Sequence, residues 1–314
     1  MRAGVVDCGT NSLRLLVADV ADGRLTEVGR YNEIVRLGEG VDATGRISAE
    51  AMSRAFAVLR EYAGVCADAG VERMRFAATS ASRDAANAEE FFAGVRAELP
   101  GVEPEVIDGL EEADLSFLGA TAALTSTSTD SLGRALVVDL GGGSTEFIAG
   151  QADGAVRESS VSVDLGSVRL TERLLHGDPP GVDAIATSAA EIDARLDEAQ
   201  AVVPLTDIDT LVGVAGTITT LTAHALRLDG YDRSRIHGAE MPVAVMLAAC
   251  EDMLMTPVAR RATLPYMHPG RVDVIGAGAL IWSRIVRRVV VGSPGLTLRT
   301  SESDILDGMA LRLG

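Results

Sequence analysis

The 314-residue chain contains no lysine: all 28 of its basic side chains are arginine. Mechanisms that need a primary ammonium group are therefore closed to it. That excludes the P-loop lysine, Schiff-base chemistry and covalent attachment of pyridoxal phosphate. Aromatic residues make up only 4% of the chain, too few for a platform on which bases stack. Against the 28 arginines stand 45 acidic side chains, a net charge of −17, so no broad basic face is available to neutralise a phosphate backbone. Both facts argue against nucleic acid as a partner.

Cysteine is also scarce. Cys8, Cys66 and Cys250 are odd in number and include no C-x-x-C pair, so neither a disulfide framework nor a zinc site is expected. The histidines His176, His224, His237 and His268 are scattered without metal-ligand spacing. Apolar runs such as Val274–Trp282 stop short of the roughly 20 residues a bilayer helix needs. The N-terminus reaches Asp7 and Arg14 without a signal-type hydrophobic region. A cytoplasmic protein with no membrane partner is expected.

What is present is an ordinary globular composition, 47% hydrophobic and 23% charged, in a chain long enough for two domains. A strand signal ending at Asp7 runs into the small turn Cys8-Gly9-Thr10-Asn11-Ser12, and an apolar return follows over Leu13–Ala18. Asp22-Gly23 reads as a hairpin turn. Ser48 is placed to cap a helix running to about Gly70, and Asn87 to cap one over Ala88–Glu98. The opening pattern then recurs. Ala135–Asp139 is a strand, Leu140-Gly141-Gly142-Gly143-Ser144 a turn, and Thr145–Ala149 a returning strand. Asp7 falls on Asp139, Gly9 on Gly141 and Ser12 on Ser144, 132 residues apart, a period too long for a solenoid and suited to a duplicated domain. We read two similar α/β lobes, 1–122 and 123–302, with the polar stretch Thr125–Ser131 near their boundary. The helix over about 303–314, with Ser301 or Ser303 as its cap, is expected to pack back on the first lobe. A third glycine turn is expected at Gly216-Thr217, after the strand Leu211–Ala215, and a late helix is expected to begin near Gly270.

Glycine-rich turns that follow strands let backbone N–H groups approach an anion, and Ser or Thr hydroxyls add donors. Such turns cradle phosphate without lysine. An aspartate at the strand end lies where α/β folds place ligands, and two of them, Asp7 and Asp139, could hold a divalent metal, usually through water. Plainer readings stand beside these. Glu111 and Glu112 begin a helix, where acids complement the macrodipole. Arg83 could simply pair with Asp84. Gly276 and Gly278 suit close packing within the late helix.

Taken together and in order, Asp7-Cys-Gly-Thr-Asn-Ser12, Thr79–Arg83, Gly109-Leu-Glu-Glu-Ala113, Asp139-Leu-Gly-Gly-Gly-Ser-Thr-Glu146 and Gly213-Val-Ala-Gly-Thr217 resemble the exopolyphosphatase / guanosine pentaphosphate phosphohydrolase family. The resemblance covers essentially the whole chain in a short two-lobe form. It implies the actin, sugar-kinase and heat-shock-70 ATPase superfamily fold, α/β with two duplicated actin-like (ribonuclease H-like) lobes and an interlobe cleft. It also implies hydrolysis of a terminal phosphoryl group by water, with Mg²⁺ (or Mn²⁺) as cofactor. On that resemblance Glu112 is the general base, Asp139 binds metal, and Glu146 binds metal or positions water. Gly9, Thr10, Asn11 and Ser12, with Gly141, Gly142, Gly143, Ser144 and Thr145, cradle phosphates, and Arg83 contacts phosphate. Gly216 and Thr217 join the phosphate set and Asp7 the metal set.

The chemistry suits these residue types independently, because phosphoryl transfer needs in-line positioning, charge neutralisation and an oriented nucleophile. The resemblance implies inorganic polyphosphate, guanosine pentaphosphate or both as substrate. The acidic charge favours short polyphosphate, since a long polyanion needs an extended basic track. A homodimer is the usual family state. Two other readings remain open at this point: a non-hydrolytic sensor of these phosphates, and a small-molecule kinase of the same superfamily.

Overall fold

The computed structural model describes residues 1–127, 131–152 and 156–314. The chain forms two compact units, Met1–Leu115 together with Ile305–Gly314, and Ser116–Asp304. The division falls within the Gly109–Thr127 helix, which also contains the expected boundary at 122/123. Of the polar stretch Thr125–Ser131, the part to Thr127 is helical, and residues 128–130 lie outside those described.

The first unit carries a five-stranded sheet of β1 (Arg2–Cys8), β2 (Ser12–Ala21), β3 (Arg24–Ile34), β4 (Arg73–Ala78) and β5 (Pro104–Val106), in the order β3-β2-β1-β4-β5. The second carries β6 (Arg134–Leu140), β7 (Thr145–Gln151), β8 (Val156–Val163), β9 (Thr210–Val214) and β10 (Thr297–Thr300), in the order β10-β9-β6-β7-β8. Read from the third strand, the two orders are the same. In each, three antiparallel strands are followed by two parallel ones. The duplicated α/β fold expected from the paired turns is therefore present, strand for strand.

Local chemistry explains the elements. The β2–β3 loop is Asp22-Gly23 with φ of 51° and 70°, the double positive φ of a two-residue hairpin turn. Ser48 caps the Ala49–Ala69 helix through Ala51 N at 3.2 Å, and Gly70, at φ 67°, closes it in the left-handed conformation. Asn87 does not cap the Ala88–Glu98 helix. Its amide instead clasps the backbone of Ile47, accepting from N at 2.9 Å and donating to O at 3.0 Å. The late helix starts at Ile275 rather than near Gly270, because Pro269–Arg271 forms only one 3₁₀ turn. The terminal helix starts at Ile305, and Ser301 bonds the backbone of Ser303 rather than capping it.

Each unit has its own core. In the second, Trp282 and Ile285 of the Ile275–Gly292 helix pack with Val138, Leu211 and Ile218. In the first, the Ala49–Ala69 and Ala88–Glu98 helices cover one sheet face through Leu59, Phe91 and Val95. The Ile305–Leu313 helix covers the other through Met309 and Ala310, against Val5 and Leu16. Among the described residues no helix is long and apolar enough to cross a membrane.

Candidate active site

The turn joining β1 to β2 is closed by Gly9 N donating to Ser12 O at 2.9 Å, and that joining β6 to β7 by Gly141 N donating to Ser144 O at 3.1 Å. The next chain segment satisfies the carbonyls of both turns. In the first unit Val35 and Arg36 N–H groups donate to Asn11 O, and Gly38 N donates to Thr10 O. In the second, Ser167 N donates to Gly141 O, while Val168 and Arg169 N–H groups donate to Gly142 O. Arg169 adds its Nε to Gly143 O at 2.9 Å. A Cβ at Gly166 would overlap the Gly142 carbonyl, so only glycine lets this support approach the turn.

The strand-end aspartates diverge. Asp7 pairs across β1–β2 with Arg14, whose Nε and Nη2 donate to Asp7 Oδ2 at 2.9 and 2.5 Å. Asp139 pairs across β6–β7 with Glu146. These two carboxylates are 6% and 1% exposed, and directly opposite like charges destabilise a sheet pair. Neutral hydroxyls hold them. Ser116 Oγ donates to Asp139 Oδ2 at 2.5 Å, while Ser144 Oγ and Ser162 Oγ donate to Glu146 Oε1 at 2.8 and 2.7 Å. Such a set of hard oxygens suits a divalent cation. Among the described residues no group of three or more His, Cys, Asp or Glu is gathered for a metal.

Glu112 follows Asp108, whose carboxylate accepts from the N–H groups of Leu110 and Glu111 at the helix start. Glu111 turns outward to Arg75 at 2.6 Å. Glu112 is contacted instead by Arg83, whose Nη1 lies 3.1 Å from Glu112 Oε2 and 2.8 Å from Ile107 O. The structure thus brings together the two candidates that the Thr79–Arg83 and Glu-Glu motifs supply. Cys8, between Asp7 and Gly9, is fully buried, and that burial, with Asp7 beside it, pushes its thiol well above the ordinary range. It is filler, not a nucleophile.

One expectation needs correction. Gly216 and Thr217 do not form a separate glycine turn after the strand, since they lie in the first turn of the Ala215–Ala225 helix. The left-handed residue is Ala215, at φ 71°, and its neighbouring glycine serves close approach, because a Cβ at Gly216 would overlap the Arg271 guanidinium. Thr217 is packed beneath Gly278. The Ser144 and Thr145 hydroxyls are engaged within the protein, Thr145 Oγ1 donating to Leu165 O at 2.5 Å.

Residues 16–312 match the model of the Ppx/GppA phosphatase family. The chain belongs to that family. It is 45% identical to Exopolyphosphatase 2 of Mycobacterium tuberculosis, over 99% of this chain and 98% of that protein. A solved exopolyphosphatase-like protein superposes with a TM-score of 0.94 at 41% identity, covering 100% of this chain and 97% of that one. The Aquifex aeolicus Ppx/GppA family member superposes with a TM-score of 0.79 at 29% identity, again covering 100% and 97%. Within this Ppx/GppA chain, Ser116, Ser162, Gly166 and Arg169 stand outside the motifs legible in the sequence, and Arg14 is given no role by them. Only Arg14 carried a readable signal, being placed opposite Asp7 where the second hairpin has Glu146.

Proposed function

We propose that the chain is an exopolyphosphatase-type hydrolase that releases terminal phosphate from inorganic polyphosphate, with guanosine pentaphosphate as a second substrate of the same terminal chemistry. The observation that carries this reading is the buried Asp139–Glu146 pair beside a glycine-rich turn, its carboxylates accepting from the hydroxyls of Ser116, Ser144 and Ser162. Asp139 and Glu146 would hold Mg²⁺ (or Mn²⁺), which when bound offsets the charge of the terminal phosphate. Asp7 has its charge matched by Arg14, and its part in the metal set is the weaker one on electrostatic grounds.

Glu112 takes the proton of the attacking water, as a carboxylate within reach of a nucleophile does. Arg83 orients Glu112 through its 3.1 Å contact and offers a guanidinium suited to phosphate oxygens. The two glycine-rich turns, whose carbonyls are already satisfied from behind, supply N–H groups to phosphate. Arginines paired with carboxylates across the molecule, from Arg2–Asp19 to Arg312–Asp114, support short chains over long ones, because paired cations make no extended basic track. A cytoplasmic homodimer completes the reading, and sedimentation velocity checks its stoichiometry.

The test is phosphate release with Mg²⁺ from short polyphosphate, long polyphosphate and guanosine pentaphosphate. Release from short polyphosphate, absent without divalent cation, supports the reading. Binding of these compounds with no release from any of them replaces it with a sensor.

A further inference from the structure

Serine inside a helix ordinarily returns its hydroxyl to the carbonyl four residues earlier. On the Gly109–Thr127 helix Thr121 and Thr125 do so, donating to Phe117 O at 2.6 Å and Thr121 O at 2.8 Å. Ser116 does not. Fully buried, it directs Oγ at Asp139 Oδ2, 2.5 Å away. On β8, Ser162 directs Oγ at Glu146 Oε1, 2.7 Å away, and shares that oxygen with Ser144. Neither Ser116 nor Ser162 belongs to the glycine-rich turn, and they arrive from different elements, 23 residues before Asp139 and 16 after Glu146.

The donor type matters. Two carboxylates directly opposite one another repel, and each would otherwise rotate away. A guanidinium would hold a carboxylate but match its charge, as Arg14 does for Asp7. A hydroxyl fixes the oxygen and adds no net charge of its own. We propose that Ser116 and Ser162 are positioning residues that orient Asp139 and Glu146 for a divalent cation. This rests on the reading that these two carboxylates bind the metal.

The test is titration of the whole protein with Mn²⁺, followed by the loss of the free-ion paramagnetic resonance signal, alongside thermal melting to verify folding. The proteins are wild type, Ser116→Ala, Ser162→Ala, Ser162→Thr, Asp139→Asn and the Ser116→Ala/Asp139→Asn double variant. Loss of an outer ligand-orienting bond weakens metal affinity by roughly 10- to 100-fold. We expect each alanine variant to weaken Mn²⁺ binding by about 10-fold, the lower end of that range, with Ser162→Thr restoring it. Ser116→Ala should add nothing once Asp139 is Asn, since the bond it removes acts through that carboxylate. The polyphosphate KM at saturating Mg²⁺ should not move. Folded Ser116→Ala and Ser162→Ala proteins that both bind Mn²⁺ like wild type, while Asp139→Asn loses it, overturn the serine assignment alone. Wild-type protein that binds no Mn²⁺, or an Asp139→Asn variant that binds it unchanged, overturns the metal site and the serine roles together.

Discussion

Asp139 faces Glu146 across the β6–β7 hairpin, carboxylate opposite carboxylate. At the equivalent place in β1–β2 the partner of Asp7 is Arg14, so one copy of a duplicated hairpin sets a cation opposite its aspartate and the other a second carboxylate. The cost of such a cross-strand pair is of order 0.2–1 kcal/mol. In chelator, Asp139→Asn should therefore melt at or above wild type. Mg²⁺ should raise the melting temperature of wild type and not of the variant, because a ligand at 100 times its Kd adds about 2.7 kcal/mol. Differential scanning fluorimetry with and without Mg²⁺ reads both effects, and an equal Mg²⁺ shift in the two proteins counts against this metal site.

Arg14 predicts the opposite behaviour. It is 19% exposed and its partner Asp7 6% exposed at the side chain, so Arg14→Gln leaves a buried carboxylate without its cation. Breaking such a pair costs about 3 kcal/mol, the lower end of the range for buried pairs. Urea denaturation should show this loss at neutral pH regardless of Mg²⁺. A variant as stable as wild type would mean that Asp7 has another source of compensation.

Gly166→Ala separates turn geometry from fold stability. The added Cβ would overlap the Gly142 carbonyl and push the Gly141–Ser144 turn off its support. A misplacement of about 1 Å can cost 10²-fold in rate. We expect kcat/KM on short polyphosphate to fall by about that factor while the melting transition stays cooperative. Retained wild-type kinetics would show that this turn does not position substrate.

Glu302 predicts a pH effect on stability away from the reacting groups. Burial raises its carboxyl above the usual range, although Tyr231 and Arg233 both contact it. A raised folded value means the native state holds the proton more tightly than the unfolded chain. Its stabilising contribution is therefore present at acid pH and is lost as pH rises through that raised value. Glu302→Gln, neutral throughout, should melt above wild type at pH 7–8, and the gap should close as pH falls toward 4, a window set by the ordinary Glu value near 4.3 and its upward shift. Thermal melts across that range read the difference directly. A gap that widens toward acid pH would reverse the assignment.

Much of this architecture was legible because the repeated signals are local. Asp7–Ser12 and Asp139–Ser144 each combine strand end, glycine turn and apolar return within a dozen residues, and that local unit is what the two sheets share. The helix start at Glu111–Glu112 was legible for the same reason. What escaped was long-range or conformational. Ser116 and Ser162 are unremarkable in sequence and gain their roles only through partners 23 and 16 residues away. Gly216 reads as a turn glycine, but the left-handed backbone belongs to Ala215, which no residue preference marks. Asn87 carries the side chain of a helix cap, yet Ile47 offers its amide a two-sided backbone partner.

If Glu112 takes the proton of the water attacking the terminal phosphate, the Glu112→Gln variant should lose turnover and little else. Glutamine keeps the size of the side chain and a carbonyl oxygen for Arg83 Nη1, which now sits 3.1 Å from Glu112 Oε2, but it cannot accept the proton. With short polyphosphate and saturating Mg²⁺, kcat should fall by roughly 10²–10⁴, the usual contribution of a general base, while binding of the substrate is retained. A kcat equal to wild type would contradict the assignment of the base.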